Sequence, residues 1–315
     1  MSEPSSPPLT LRPFQNADAA AVATLLTTSV RGLWHYRPEH FQKDTDPEKW
    51  RLVALRGGEM VATGRLAPFG DSAPDALRLD LAGDGAAFSR LYLALLAQAP
   101  GRFRRLLGVT REDWPEQMHF FTAAGFRNAW QSWGAHLDLT AFDFERFRAL
   151  DEKLFLAGYE VGRWDNAATD TEWDALYGLH RQGEADVPKN PTTTSAPLPR
   201  EEWQRTLSEE AVFVVRYRGE VVVLTRLALP KHHPLQSARE VSSDLTATHP
   251  AHRSRGLATL LKAQALAWAR AEGYTRAGTG GAVLNLPMLR VNTHLGYQTE
   301  PMWVTWERIV TNALA

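Results

Sequence analysis

The chain of 315 residues repeats itself, and this constrains its fold more than any composition does, because one scaffold has to be built twice. Gly58-Glu59 and an apolar run ending in Arg65-Leu66-Ala67 align with Gly219-Glu220 and an apolar run ending in Arg226-Leu227-Ala228. Each block reads as a β-hairpin with glycine in its turn. Upstream, Leu11-Arg12-Pro13 with Asn16-Ala17 matches Val161-Gly162-Arg163 with Asn166-Ala167; downstream, Met118 with Gly125-Phe126 matches Met288 with Gly296-Tyr297. The order is kept while the offset widens, so the second copy carries extra residues between Glu184 and Arg200 and near Lys231 to Arg239. Unrepeated loops on a shared scaffold are where specificity usually resides.

Each copy reads as a strand, helices, a hairpin, another strand, a long helix, a strand, a short helix and a last strand, which is an α/β domain with a mixed sheet. In the second copy the long helix runs from Gly256 to Glu272 on the periodicity of Leu257, Leu260, Leu261, Ala265 and Trp268, and Gly273 stops it. Between the copies, Phe142, Phe144, Phe147, Leu150, Leu154 and Phe155 mark a packed linker helix. The expected organisation is a disordered tail over 1–8, a first domain over 9–140, the linker over 141–157 and a second domain over 158–315.

A net charge of -1 provides no global field for nucleic acid, and the absence of cysteine excludes disulfides, thiolate metal sites and a cysteine nucleophile. No apolar run approaches the roughly 20 residues of a membrane span, and the start lacks a signal-like pattern, so a cytoplasmic chain is expected. The paired histidines His249/His252 and His232/His233 do not have the pattern of a metal site, and no metal is expected. Gly278-Thr279-Gly280-Gly281 fits neither a dinucleotide fingerprint nor a P-loop.

The segment Thr246-Ala247-Thr248-His249-Pro250-Ala251-His252-Arg253-Ser254-Arg255-Gly256-Leu257-Ala258 carries the clearest chemistry: a strand runs through a basic loop into a helix start. The first turn of a helix offers free N–H groups and the positive end of its dipole, and Arg253 and Arg255 add charge there. Arg253-x-x-Gly256-x-Ala258 resembles the pyrophosphate loop of the GNAT superfamily of acyl-CoA-dependent N-acetyltransferases. Thr279, Asn285, Met288-Leu289, Val291-Asn292 and Leu295-Gly296-Tyr297 resemble the later part of the same domain, and the repeat extends the likeness to a tandem of two such domains.

The resemblance implies a mixed, mostly antiparallel sheet splayed between its fourth and fifth strands, with acetyl-CoA as co-substrate. The fourth strand falls on Val241 to Thr248. Backbone groups of Leu245, Thr246, Ala247 and Thr248 would pair with the pantetheine arm, while Arg253, Ser254, Arg255, Gly256, Leu257 and Ala258 would hold the pyrophosphate, with Asn285 and Asn292 as further cofactor-side groups. The first copy departs from the pattern: Asp80 and Asp84 stand where a pyrophosphate needs positive charge, so it reads as a degenerate scaffold.

Direct attack on a thioester needs a base, because an amine with a pKa near 10.4 is protonated at neutral pH. Glu240 and Asp244 are the candidates; pairing with Arg239 or facing solvent is the alternative for both. Asn292 occupies the position where many family members place a tyrosine acid, and an amide supplies no proton. Asp186 is a candidate for attracting a cationic amine, with ordinary loop punctuation as the alternative. The expected function is N-acetyl transfer to an amine of a small molecule or peptide, the second possibility being an acyl-CoA-binding sensor without turnover.

Overall fold

A computed structural model describes residues 7–41, 48–194, 196–207, 210–230 and 239–310. Of the expected tail, residues 1–6 lie outside them, as do His232, His233 and most of the second insertion. In chain order the strands and helices are β1 (Leu9–Pro13), α1 (Ala19–Ser29), β2 (Trp50–Arg56), β3 (Glu59–Pro68), β4 (Ala76–Gly83), α2 (Phe88–Leu96), β5 (Arg105–Arg111), α3 (Pro115–Ala123) and β6 (Arg127–Asp138). They continue with α4 (Arg148–Leu156), β7 (Tyr159–Arg163), α5 (Asp170–Asp186), α6 (Arg200–Thr206), β8 (Glu210–Tyr217), β9 (Glu220–Ala228), β10 (Glu240–Thr248), α7 (Leu257–Ala271), β11 (Arg276–Ala282), α8 (Leu286–Leu295), β12 (Gln298–Thr299) and β13 (Trp303–Ile309).

The hairpins that revealed the repeat are present in both copies. Gly57 and Gly58 have φ of 61° and 90° between β2 and β3, and Arg218 and Gly219 have 54° and 83° between β8 and β9. Two consecutive positive φ values define the two-residue turn whose twist matches the flanking strands.

The chain forms two compact units: Met1–Gln131 with Asn190–Ser195 and Pro301–Ala315, and Ser132–Lys189 with Ala196–Glu300. This division differs from the expected cut at 140 and 158. The first unit's sheet runs β1-β2-β3-β4-β5-β13, so the last strand of the chain completes it, pairing antiparallel with β5 from Trp303↔Arg111 to Ile309↔Arg105. The second unit's sheet runs β6-β11-β10-β9-β8-β7, and the part of β6 that pairs with β11 comes from the first copy's sequence. The expected linker helix is part of the second unit: Phe142, Phe147 and Leu154 are buried in its core, while Phe155 is exposed. Residues 190–194 of the first insertion belong to the first unit, where the Arg105 guanidinium donates to Thr192 O and Thr194 N donates to Ser72 O.

In the second unit both faces of the sheet are covered. Ala211, Phe213 and Val215 of β8 pack in the core with α7, whereas Val212 and Val214 pack with α5 and α6. Side chains alternate along a strand, so a strand covered on both faces is apolar throughout. Among the described residues no helix is long and apolar enough to cross a membrane.

Candidate active site

Strands β10 and β11 pair in parallel from Glu240↔Arg276 to Ser243↔Thr279, and there the pairing ends. Beyond it β10 follows β9, through a register shift, to Thr248↔Val223, while β11 follows β6 to Ala282↔Ser132. The two strands fork. Thr279 Oγ1 donates to Ser243 O at 3.2 Å and closes the fork at its base. Residues Leu245 to Thr248 border the open part, and from Thr246 on their β9-side edge is already paired.

A 3-10 turn over Pro250–His252 leads from β10 into the basic loop and α7. Ser254 and Gly256 both have left-handed backbone, with φ of 62° and 86°. These reversals of hand bring the loop round to the start of α7, whose first N–H groups have no carbonyl within the helix to bond. A Cβ on Gly256 would lie 3.0 Å from Leu150 Cδ1 of α4, so this glycine serves the loop conformation and the packing of α4 as well as an open approach. Arg255 is exposed and donates to Ala251 O at 3.3 Å. Arg253 folds back, its Nε donating to Thr248 O at 3.0 Å and its Nη2 to Asp186. Asp186 is therefore the last residue of a helix, not a loop residue, and it is paired with the basic loop.

The two candidate bases separate by position. Glu240 sits in the paired part of β10, 3.8 Å from Arg276 and against Gly278. Asp244 is the first residue past the fork; its side chain is half exposed and 3.1 Å from Arg226, which holds Glu210 through two bonds of 2.6 Å. Neither has Arg239 as its partner in these contacts. Nearby on α5, buried His180 lies 3.5 Å from Glu184 and stacks on Trp203 at 4.7 Å. Burial pushes the imidazole down to about 4, so it is neutral at pH 7. His180, Glu210 and Arg226 belong to no motif that marks them as site residues in the sequence, although His180 lies on the helical stripe of Trp173, Leu176 and Gly183 that α5 buries.

On the other side of the sheet, Lys262 of α7 is 2 % exposed and donates to Ser243 Oγ. Desolvation pushes its ammonium down to about 7. Asn292, on α8, is buried with neither Oδ1 nor Nδ2 hydrogen-bonded, and the buried Tyr297 hydroxyl is also unpartnered. Asn285 caps α8, its Oδ1 accepting from Met288 N at 3.4 Å. Gly281 of β11 packs against β6, since a Cβ there would lie 3.1 Å from the Trp133 indole.

A strand fork ending at a glycine-bearing basic helix start is the arrangement anticipated for acyl-CoA enzymes, and residues 173–297 match the model of the acetyltransferase (GNAT) family. This region is a GNAT domain. It makes the chain an acyltransferase. Among solved structures, a GCN5-related N-acetyltransferase from Sphaerobacter thermophilus is similar over 96% of this chain and 95% of its own, at TM-score 0.61 and 12% identity. A glucosamine N-acetyltransferase region of a fungal multi-domain GH3 β-N-acetylglucosaminidase matches over 96% of this chain and 38% of its own, at 0.61 and 13%. A tandem GNAT protein from the clavulanic acid biosynthesis pathway matches over 97% and 100%, at 0.54 and 19%. At these identities the likeness is one of fold, and it extends the GNAT architecture across both units. No curated protein matches the chain. No group of residues suited to a metal ion occurs among the described residues.

Proposed function

We propose that the chain transfers an acetyl group from acetyl-CoA to a primary amine of a small molecule or peptide, at a single site in the second unit. The observation that carries this reading is the fork past Ser243 and Thr279, whose β10 arm leads directly into the left-handed loop and the start of α7. The residues suit acyl-CoA on three grounds: a strand edge bordering a gap, a helix N-terminus beside two arginines, and a buried amide, Asn292, whose polar atoms lack partners within the protein.

Leu245, Thr246, Ala247 and Thr248 would hold the pantetheine amides by strand-like pairing, and the backbone of Arg253, Ser254, Arg255, Gly256, Leu257 and Ala258 would hold the pyrophosphate. Arg255 supplies charge to that loop, while Arg253 fixes its geometry through Thr248 O and Asp186. The bound co-substrate supplies a thioester-activated acetyl group. Asp244 takes the proton of the incoming ammonium, directly or through water, because it lies at the mouth of the fork, whereas Glu240 lies inside the paired part. His180 is a poor candidate for the base, since an imidazole held near 4 binds a proton too weakly to take one from an amine at neutral pH. It forms a neutral wall on the α5 side. Asn292 orients the thiol without donating a proton from an acid, Asn285 remains a cap, and Asp186 acts through Arg253 and not on the acceptor.

Release of free CoA, followed in steady state against a panel of primary amines, tests the reading. Turnover with at least one amine, with kcat/KM falling about 10²- to 10⁴-fold at pH 7 in Asp244→Asn and cofactor affinity unchanged, is expected. Saturable acetyl-CoA binding without turnover on any amine would favour the sensor reading, for which the absence of an acid at Asn292 is the supporting observation.

A further inference from the structure

The first unit contains a fork of its own. Strands β4 and β5 pair in parallel only from Ala76↔Arg105 to Arg78↔Leu107, and past that point Leu79 to Ala82 and Val109 to Thr110 border a cavity of about 660 Å³. That volume is in the range of small-molecule sites. Its far end is closed to a pyrophosphate. Asp84 caps the helical start that follows β4, accepting from Ala86 N at 2.9 Å and pairing with Arg56 at 2.8 Å, and the Glu116 carboxylate lies against Gly85. Two carboxylates thus occupy the helix start that would otherwise receive an anion.

The cavity has two poles. One is aromatic: Trp34 stacks on Trp303 at 5.4 Å and 20°, and Trp114 meets both rings edge-on. Trp114 is 6 % exposed, and its indole N–H has no hydrogen-bond partner. The other pole is basic. Arg51, Arg65 and Arg78 line it beside Tyr36, and Asp80, the carboxylate among the described lining residues, pairs with Arg65 at 3.5 Å as well as with Arg78. Arg78 donates to Asp80 only through Nε, at 2.8 Å, so its two terminal nitrogens are available to a second anion. A cationic amine would be repelled from this end.

From the fork, the tryptophan trio and the arginines beside Tyr36 we infer that the first unit binds a small aromatic carboxylate, its ring against Trp34 and Trp303 and its carboxylate toward Arg78. The unit is then a ligand site of its own and not only a scaffold. It has no acyl-CoA chemistry.

Three isosteric probes on the full chain test this by calorimetry and tryptophan fluorescence: indole-3-acetate, indole-3-acetamide and tryptamine. One saturable site for indole-3-acetate per chain is expected, at least about tenfold tighter than for the amide, with acetyl-CoA at saturation failing to displace it. Tryptamine should show no binding that competes with it. Arg78→Gln should bring the carboxylate down to the affinity of the amide, and Trp303→Leu should weaken both. Arg78 is on the cavity wall and half exposed, so its replacement leaves the core intact and remains informative if the Trp303 variant fails to fold. Equal affinities for carboxylate and amide, unchanged binding in Arg78→Gln, displacement by acetyl-CoA, or no saturable binding of indole-3-acetate would each overturn the inference.

Discussion

Lys262 shows how one residue can set the pH response of the whole chain. Its ammonium is buried, with Ser243 Oγ as its hydrogen-bond partner, and titrates near 7 in the fold against 10.5 when exposed. Between those values the unfolded chain holds a proton that the folded chain has released, so stability rises with pH, by up to about 1.4 kcal/mol per unit from this group. Lys262→Met should flatten that rise and stabilise the protein at pH 7 by on the order of 2 kcal/mol, since replacing a buried charge by an apolar side chain of similar volume removes a desolvation cost. Urea unfolding at pH 7 and pH 9 measures both effects. Equal slopes with pH in wild type and variant would show that Lys262 is not the group responsible. At Gly256 the left-handed φ and the Leu150 side chain both oppose a Cβ. Gly256→Val should therefore lose stability together with acetyl-CoA affinity, and a variant of unchanged melting temperature would contradict the packing role found for this glycine.

At the scale of elements, α5 lies so close to β10 that a Cβ on Gly183 would come 2.6 Å from that of Ala247. An alanine ordinarily adds about 1 kcal/mol to a helix relative to glycine, but overpacking costs typically 1–3 kcal/mol, and the clash should win. Gly183→Ala is expected to lower the melting temperature and to shift α5, with His180 and Glu184, relative to β10, reducing turnover more than cofactor affinity. Circular dichroism melts and kinetics on one preparation check both, and an alanine variant more stable than wild type would overturn the close-packing argument. The elements themselves are largely legible in the sequence. Both hairpins follow from their turn glycines, α7 from its leucine periodicity, and the fourth strand from the pattern ahead of Arg253, where β10 begins one residue earlier than expected. Lys262 is hidden because the leucines of α7 dominate the pattern, although it lies three residues before Ala265 and seven before Ala269 on a buried stripe. Asp186 reads as a loop residue because Pro188 suggests an earlier stop, whereas α5 runs on to Asp186.

At the scale of the molecule, the exchange of strands is beyond the reach of local sequence. The run Trp303 to Ile309 reads equally well as the last strand of either sheet, since β-propensity does not specify a partner. Its pairing with β5 makes the first unit depend on the chain's last residues: Trp306 is buried in that unit's core and Trp303 completes its tryptophan trio. Truncation after Glu300 should therefore destabilise the first unit despite removing residues far from it in sequence, seen as early loss of its amides in hydrogen exchange while the second unit keeps its protection. Uniform exchange across both units would contradict that dependence. The same whole-molecule view holds the central claim, that one unit of the tandem carries the acyl-CoA site and the other has filled its equivalent helix start with Asp84 and Glu116. Titration calorimetry of the full chain with acetyl-CoA tests it most directly. The account predicts one site per chain, weakened at least about tenfold by Arg255→Glu through reversed charge at the helix start; two sites per chain, or an affinity unmoved by that substitution, would contradict it.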